Sequence, residues 1–264
     1  MATERGILLH RFTDSRGNKM NIAVVFAGGV GQRMQNGGLP KQFMEIHDKP
    51  IIIHTIEHFE KHAEIDAIVI ACVADWIDYM QELADKYKIT KVKRIVPGGE
   101  TGQLSIYNGL VAAEEYANEA GESEKNVVLI HDGVRPLINA KLITDCIASV
   151  KKYGSAITSV VVKETVLMVH DSETNEIEHI PNRANTRLAR APQCFFLEDI
   201  LGAERKAVEA GEINFIDSCS LMQSAGMKLH LVDGPMENIK VTTPDDYYSV
   251  KALLDARKEL PQNN

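Results

Sequence analysis

No apolar run in this chain approaches the ~18 residues that a membrane-spanning helix needs. Basic residues are in deficit: 37 acidic side chains against 29 basic ones leave a formal charge of −8. That balance argues against general binding to nucleic acid or an anionic membrane, both of which select for positive charge. Cysteines are few and scattered. Cys72, Cys146, Cys194 and Cys219 form no C-x-x-C pair and sit mostly among apolar neighbours, which points to buried free thiols in a reducing cytoplasm rather than a disulfide framework. A secretory leader is also missing from the pattern. The opening twenty residues carry Glu4, Arg5, Arg11, Asp14, Arg16 and Lys19 around a short Ile7-Leu8-Leu9 core. Residues 1–19 are expected to be a poorly ordered extension. With no Pro/Gly/Ser linker, low-complexity tract or internal repeat, residues 20–264 are expected to form a single α/β domain able to bury a sizeable core.

Two familiar phosphate signatures are absent as well. Gly29-Val30-Gly31-Gln32-Arg33-Met34 ends in methionine where G-x-G-x-x-G needs a third glycine, and no G-x-x-x-x-G-K-[ST] loop occurs. What stands there is an apolar run, Asn21 to Ala27, that breaks into Gly28, Gly29 and Gly31 and then into Arg33 and Lys41. Glycines after a strand let backbone N–H groups approach an anion with no Cβ in the way. Arg33 can grip phosphate oxygens with its planar fork, and Lys41 adds a compact charge. A chain this acidic must concentrate its cations where it handles phosphate.

Downstream, strand-length apolar runs alternate with helical patterns. The predicted strands are Ala67–Cys72, one ending at Val96, Val127–Ile130, Ala156–Val162 and Leu229–Val232. The predicted helices cover Pro50–Phe59, Trp76–Tyr87, Ile106–Ala117, Ala140–Tyr153, Leu197–Ala210, one starting at Asp217-Ser218, and Pro244 to about Leu260. Such alternation predicts a doubly wound, mainly parallel sheet. Pro97-Gly98-Gly99-Glu100-Thr101-Gly102-Gln103-Leu104-Ser105 enters a helix as a second candidate nucleotide surface. Asp132 and Arg135, in His131-Asp132-Gly133-Val134-Arg135-Pro136, lie where open α/β sheets place ligands, though the pair could simply pin the turn. His54, His58 and His62 share a helical face. Without a carboxylate or cysteine cluster they are assigned to a half-buried polar stripe and not to a metal. Thr165–His170 and Glu176–Pro181 read as a hairpin projecting from the body, marginal in water unless something covers it.

Five separated motifs then match one family in order: the glycine loop with Pro40-Lys41-Gln42-Phe43, the G-G-E loop, H-D-x-x-R-P, the Arg183…Pro192-Gln193 pair, and Asn238-Ile239-Lys240-Val241-Thr242-Thr243-Pro244. From Met20 to about Leu260 the chain resembles the cytidylyltransferases that form CDP-polyols from CTP and a polyol phosphate, those acting on 2-C-methyl-D-erythritol 4-phosphate or ribitol 5-phosphate. The resemblance implies a Rossmann-like sheet of the nucleotide-diphospho-sugar transferase type, with a hairpin arm, residues 164–182, that pairs two copies into a homodimer. It implies that Ala27, Gly28, Gly29, Gly31, Arg33 and Lys41 hold the triphosphate, with Gly99, Glu100 and Ser105 at cytosine. Asp132 would contact ribose or polyol hydroxyls, Gly133 would belong to the CTP site, and Asp132, Arg135, Thr165, Arg183 and Lys240 would lie at the acceptor. Arg33, Lys41, Lys240 and Arg183 would be the catalytic cations. Mg²⁺ or another divalent ion would be carried mainly by the CTP phosphates. A cytoplasmic enzyme with no nucleic-acid or membrane partner is implied.

The chain departs from that pattern at two places. Gly102 replaces the usual arginine of G-G-E-x-R, and Ala191 replaces the threonine of T-P-Q. Arg187 and Arg190 match nothing in the pattern and could compensate. Gly133-Val134, Ile180-Pro181-Asn182-Arg183 and Asp217-Ser218-Cys219 lean toward the ribitol branch, so ribitol 5-phosphate is the expected acceptor and methylerythritol phosphate the alternative. A non-catalytic CTP or CDP-polyol sensor is the contrasting hypothesis, disfavoured because Arg33, Lys41, Arg183 and Lys240 are all retained. A dinucleotide-dependent oxidoreductase is weakened further by the missing glycine.

Overall fold

The computed structural model describes residues 19–28, 38–121, 125–170, 173 and 175–259. Most of the predicted extension and the glycine-loop residues Gly29, Gly31 and Arg33 therefore lie outside the described residues. Seven strands form the central sheet: β1 (Asn21–Ala27), β4 (Ala67–Cys72), β5 (Val92–Pro97), β6 (Val127–Asp132), β7 (Ser155–Val161), β10 (Arg187–Phe196) and β11 (Leu231–Asp233), while β2 (Glu45–Ile46) and β3 (Lys49–Pro50) pair antiparallel apart from it. Their spatial order is β11-β7-β10-β6-β1-β4-β5. β1 runs parallel to both β4 and β6, and β10 lies antiparallel between β6 and β7. β4 and β6 are wholly buried, which explains their continuous apolar runs.

Helices cover both faces. α1 (Ile51–Lys61), α2 (Ile77–Lys86) and α4 (Ala140–Tyr153) pack on the face to which Ala23, Val25 and Ala27 of β1 point. α3 (Gly102–Glu119), α5 (Leu197–Glu209) and α6 (Ser218–Ser224) pack on the other, against Ile22 and Val24. The period-two split of β1 is thus read by two helical layers. A third cluster joins α7 (Pro244–Glu259) to the strap before it through Val241, Val250, Ile46, Ile51 and Leu137.

Local chemistry sets the boundaries. α4 has the predicted limits because Asn139 accepts a bond from Leu142 N and Gly154 closes the helix at φ +85°. α7 begins in a box: Asp246 accepts from Thr242 and Thr243 N–H groups while Thr243 Oγ1 accepts from Asp246 N. α3 starts at Gly102, one turn before the expected Ile106, because Thr101 caps it by accepting from Leu104 N. The cysteines are free thiols, three buried and Cys219 half-buried. His54, His58 and His62 each turn to a separate partner (Ile46 O, Pro136 O and Thr144 Oγ1), and His62 lies just past the helix.

Two differences matter for function. The arm is a shorter hairpin than its pattern suggests: β8 (Met168–Val169) pairs antiparallel with β9 (Ile177–His179), and both are exposed. The larger difference is β10, which the sequence reading leaves unassigned as a strand. Three features hide it. Its first half is exposed, arginines interrupt it, and Pro192 cannot donate to a ladder. The register against β7 accordingly shifts between Ala189 and Gln193.

Candidate active site

The site lies beyond the carboxyl ends of β1 and β6, where chain connections leave the sheet in opposite directions and open α/β folds leave a crevice. Phe26 of β1 stands in register with Asp132 of β6, and Ala27 with Cys72 of β4. Gln42 is buried and donates to Ala27 O at 2.7 Å, which ties the Pro40-Lys41-Gln42-Phe43 turn to the end of β1 and sets Lys41 at the crevice. Phe43 completes that anchor, stacking on Trp76 with ring centres 5.2 Å apart.

A cavity of about 190 Å³ opens here, lined by Ala27, Gly28, Lys41, Gly99, Glu100 and Ser105 among others. Ser105 organises its far wall. The hydroxyl accepts from Gly99 N at 3.0 Å and donates to Thr101 O at 2.9 Å. Gly28 must lack a side chain, since a Cβ there would stand 2.5 Å from Ser105 Oγ. Gly133 is near but lines neither cavity; its N–H donates to Phe26 O and its carbonyl accepts from Thr55 Oγ1.

A second cavity of about 280 Å³ adjoins the first, and Arg135, Arg190, Gln193, Glu204, Asp217 and Ser218 contribute to its lining. Phe26, Gly102, Asp132 and Lys240 line both cavities. At this junction Asp132 Oδ1 receives Lys240 Nζ at 2.6 Å and Oδ2 receives Arg135 Nε at 2.7 Å. Burial opposes ionisation of Asp132. The Lys240 and Arg135 charges outweigh it and hold the carboxyl down, at about 2. Arg135 also donates to Asn238 O, and Asn238 donates onward to Ala191 O, so the strap carrying Lys240 is bound to β10.

Sequence reasoning thus brings Ala27, Gly28, Lys41, Gly99, Glu100, Ser105, Asp132, Arg135 and Lys240 into one connected crevice. Thr165 and Arg183 are not there. Both are exposed, and Arg183 donates to Lys163 O. Arg135 is engaged within the fold instead of reaching freely outward. Glu204 and Gln103 were missed. Glu204 is 1 % exposed and accepts from Gln103 Nε2 at 3.0 Å. Burial, partly opposed by that bond, raises its pKa to about 7. The available signal was a carboxylate on the apolar stripe of α5, one turn after Ile200 and Leu201.

A crevice lined by glycines and lysines at the switch point of a mainly parallel sheet is the arrangement of a nucleotide-binding α/β protein. The chain belongs to the 2-C-methyl-D-erythritol 4-phosphate cytidylyltransferase (IspD) family, whose pattern matches residues 21–256, and it is accordingly a nucleotidyltransferase. The ribitol-5-phosphate cytidylyltransferase of Streptococcus agalactiae serotype III is 54 % identical over 239 residues, covering 90 % of this chain and 97 % of that one. The ribitol-5-phosphate cytidylyltransferase of Vibrio parahaemolyticus is 49 % identical, covering 91 % and 98 %. Among solved structures, the 4-diphosphocytidyl-2C-methyl-D-erythritol synthase of Anaerococcus prevotii superposes with a TM-score of 0.76 at 27 % identity, covering 90 % of this chain and 97 % of its own.

Proposed function

We propose that this chain transfers CMP from CTP to D-ribitol 5-phosphate, giving CDP-ribitol and pyrophosphate. The observation that carries the reading is the pair of cavities meeting at Asp132 and Lys240. One has the glycine-rich and Lys41 walls suited to a triphosphate, and the other has room for a short polyol. The acceptor class is supported by the relatives at 49–54 % identity, named for ribitol 5-phosphate; the Clostridium acetobutylicum relative, named for 2-C-methyl-D-erythritol 4-phosphate, stands at 39 %.

In the proposed reaction a phosphate oxygen of the acceptor attacks the α-phosphorus of CTP in line. The new P–O bond forms as the bond to the β-phosphate oxygen breaks, and that electron pair leaves on pyrophosphate. Negative charge gathers on the equatorial oxygens, so positioning and fixed cations supply the acceleration without a covalent nucleophile. Lys41 and Arg33 act on the triphosphate, and Lys240, aimed by Asp132, acts where the two substrates meet. Ser105, Gly99 and Glu100 form the cytosine wall. Among the described residues no three His, Cys, Asp or Glu side chains gather to cage a metal. Both oxygens of Asp132 are taken by cations. This donor set fits a Mg²⁺ ion held chiefly by phosphate oxygens, which when bound neutralises triphosphate charge.

Thr165 and Arg183 enter the reading through a second copy. The arm exposes Leu167, Met168, Val169, Ile177 and Ile180, and Leu188 of β10 is exposed as well. This apolar ribbon would be covered in a homodimer that delivers the two side chains to the neighbour's acceptor cavity. No helix among the described residues is long and apolar enough to cross a membrane, and the unbonded cysteines favour the cytoplasm.

The test is pyrophosphate release with CTP and Mg²⁺, run in parallel on ribitol 5-phosphate and methylerythritol 4-phosphate. Preference for the first is expected. Preference for the second would move the enzyme to the alternative acceptor, and silence on both would end the catalytic reading.

A further inference from the structure

Arg190 is out of balance with its surroundings. It sits where the register of β10 shifts and lines the larger cavity with its side chain half-buried. Its Nε is fully shielded yet has no hydrogen-bond partner, and no carboxylate of the described residues pairs with it. Burial, and after it the nearby Arg135 charge, lower its pKa below that of an ordinary arginine. Ser218 Oγ, on a residue only 3 % exposed in the wall of the same cavity, is likewise buried without a partner.

Other charges in that wall are already committed. Arg135 is held by Asp132 and Asn238, and Lys240 by Asp132. Asp217 accepts from Gln193 and from Ser220. A guanidinium left without a counter-ion beside a second guanidinium destabilises the empty fold, because like charges repel and buried donors lose water. An anion entering the cavity relieves both terms. A phosphate monoester suits the site better than a hydroxyl, since only the former carries charge and several acceptor oxygens.

We infer that Arg190, with Ser218, grips the phosphate of the acceptor from within the same chain, taking the place of the hydroxyl that Ala191 lacks. The inference rests on the polyol-phosphate reading above and adds an in-chain cation to the arm residues expected from a second copy. Arg190 then governs acceptor affinity and leaves the nucleotide alone.

Steady-state pyrophosphate release by the full chain is to be measured for wild type, Arg190→Met, Arg190→Lys and Ser218→Ala. Arg190→Met is expected to raise the KM for ribitol 5-phosphate at least tenfold with the KM for CTP within twofold. Arg190→Lys should recover part of the loss, and Ser218→Ala should raise the acceptor KM severalfold. The melting temperature of Arg190→Met should equal or exceed that of wild type, because an unpaired charge has been removed. An acceptor KM within twofold of wild type, or an equal rise in both KM values, overturns the inference. If wild type is silent with every polyol phosphate, the functional reading fails on its own. Calorimetric binding of inorganic phosphate in the presence of CTP then decides for Arg190: loss in Arg190→Met supports it, and retention overturns it.

Discussion

Lys240 Nζ meets Asp132 Oδ1 at 2.6 Å, joining a C-terminal strap to the end of a central strand at the wall shared by the two cavities. Val241 N donates to Val134 O beside it, so the lysine is delivered by a docked backbone and not by a loose loop. In the proposed reaction Lys240 acts at the reacting phosphate, and Lys41 lines the smaller cavity with it. Replacing either by alanine is expected to lower kcat by on the order of 10²–10³-fold, the range for one removed transition-state donor. The Kd for CTP should change much less. Single-turnover rates beside equilibrium CTP binding check this, and an unchanged kcat would count against the assignment.

Gly28→Ala should be disproportionately harmful for so small a change. Its methyl would collide with Ser105 Oγ, which holds Gly99 and Thr101 in place. A KM for CTP raised roughly tenfold is expected, with acceptor KM little affected. Adding Ser105→Ala to the same chain removes the nearest colliding atom and should recover part of the loss. No recovery would place the damage elsewhere.

Glu204 carries a cost that grows with pH. Its folded-state pKa of about 7 lies above the carboxylate value of 4.5, so the fold favours the protonated acid and stability falls as pH rises from 4.5 through 7. Glu204→Gln removes the titration and keeps an acceptor for Gln103. The variant is expected to melt roughly 2–6 °C above wild type at pH 8, with the gap closing near pH 5. Calorimetric melts at the two pH values are sufficient.

His58 and His131 act in the opposite sense. Burial first of all holds each at about 4 against an ordinary 6.5, despite carbonyl bonds from Pro136 and Arg135 that favour the charged form. Unfolded chains take up both protons below 6.5, so stability declines as pH falls from 6.5 toward 4. Near pH 5 the two histidines outnumber Glu204 by about one proton, and removing the Glu204 titration is expected to make the wild-type and Glu204→Gln slopes differ by about one proton's worth, roughly 1 kcal/mol per pH unit. Urea titrations at pH 5 and 6 separate these values, and equal slopes would refute the pairing of effects.

Where the chain follows one local rule, its structure is legible. α4 is set by an asparagine cap and a glycine stop, and β1, β4 and β6 by unbroken apolar runs between turns. The smaller cavity is legible for a similar reason, because Gly28, Lys41 and Gly99 to Ser105 lie close to strand ends. β10 is not, since half of it is arm and half is core and a proline divides them. Nor could spacing show Arg135 turned inward to Asn238, or Glu204 paired with Gln103, contacts made between segments about a hundred residues apart. Arg190 was visible as a residue outside the family pattern. Only the fold shows that its Nε lacks a partner.

The strap bearing Lys240 also spreads the crevice across the length of the chain. Most of the lining of the smaller cavity comes from residues 26–134, whereas Lys240, at the junction of the two cavities, lies more than a hundred residues beyond β6 in the chain. A chain that stops short of residue 240 would lack the lysine at the junction of the two cavities. The junction is complete only with the strap in place, where Lys240 meets Asp132 and Val241 N donates to Val134 O.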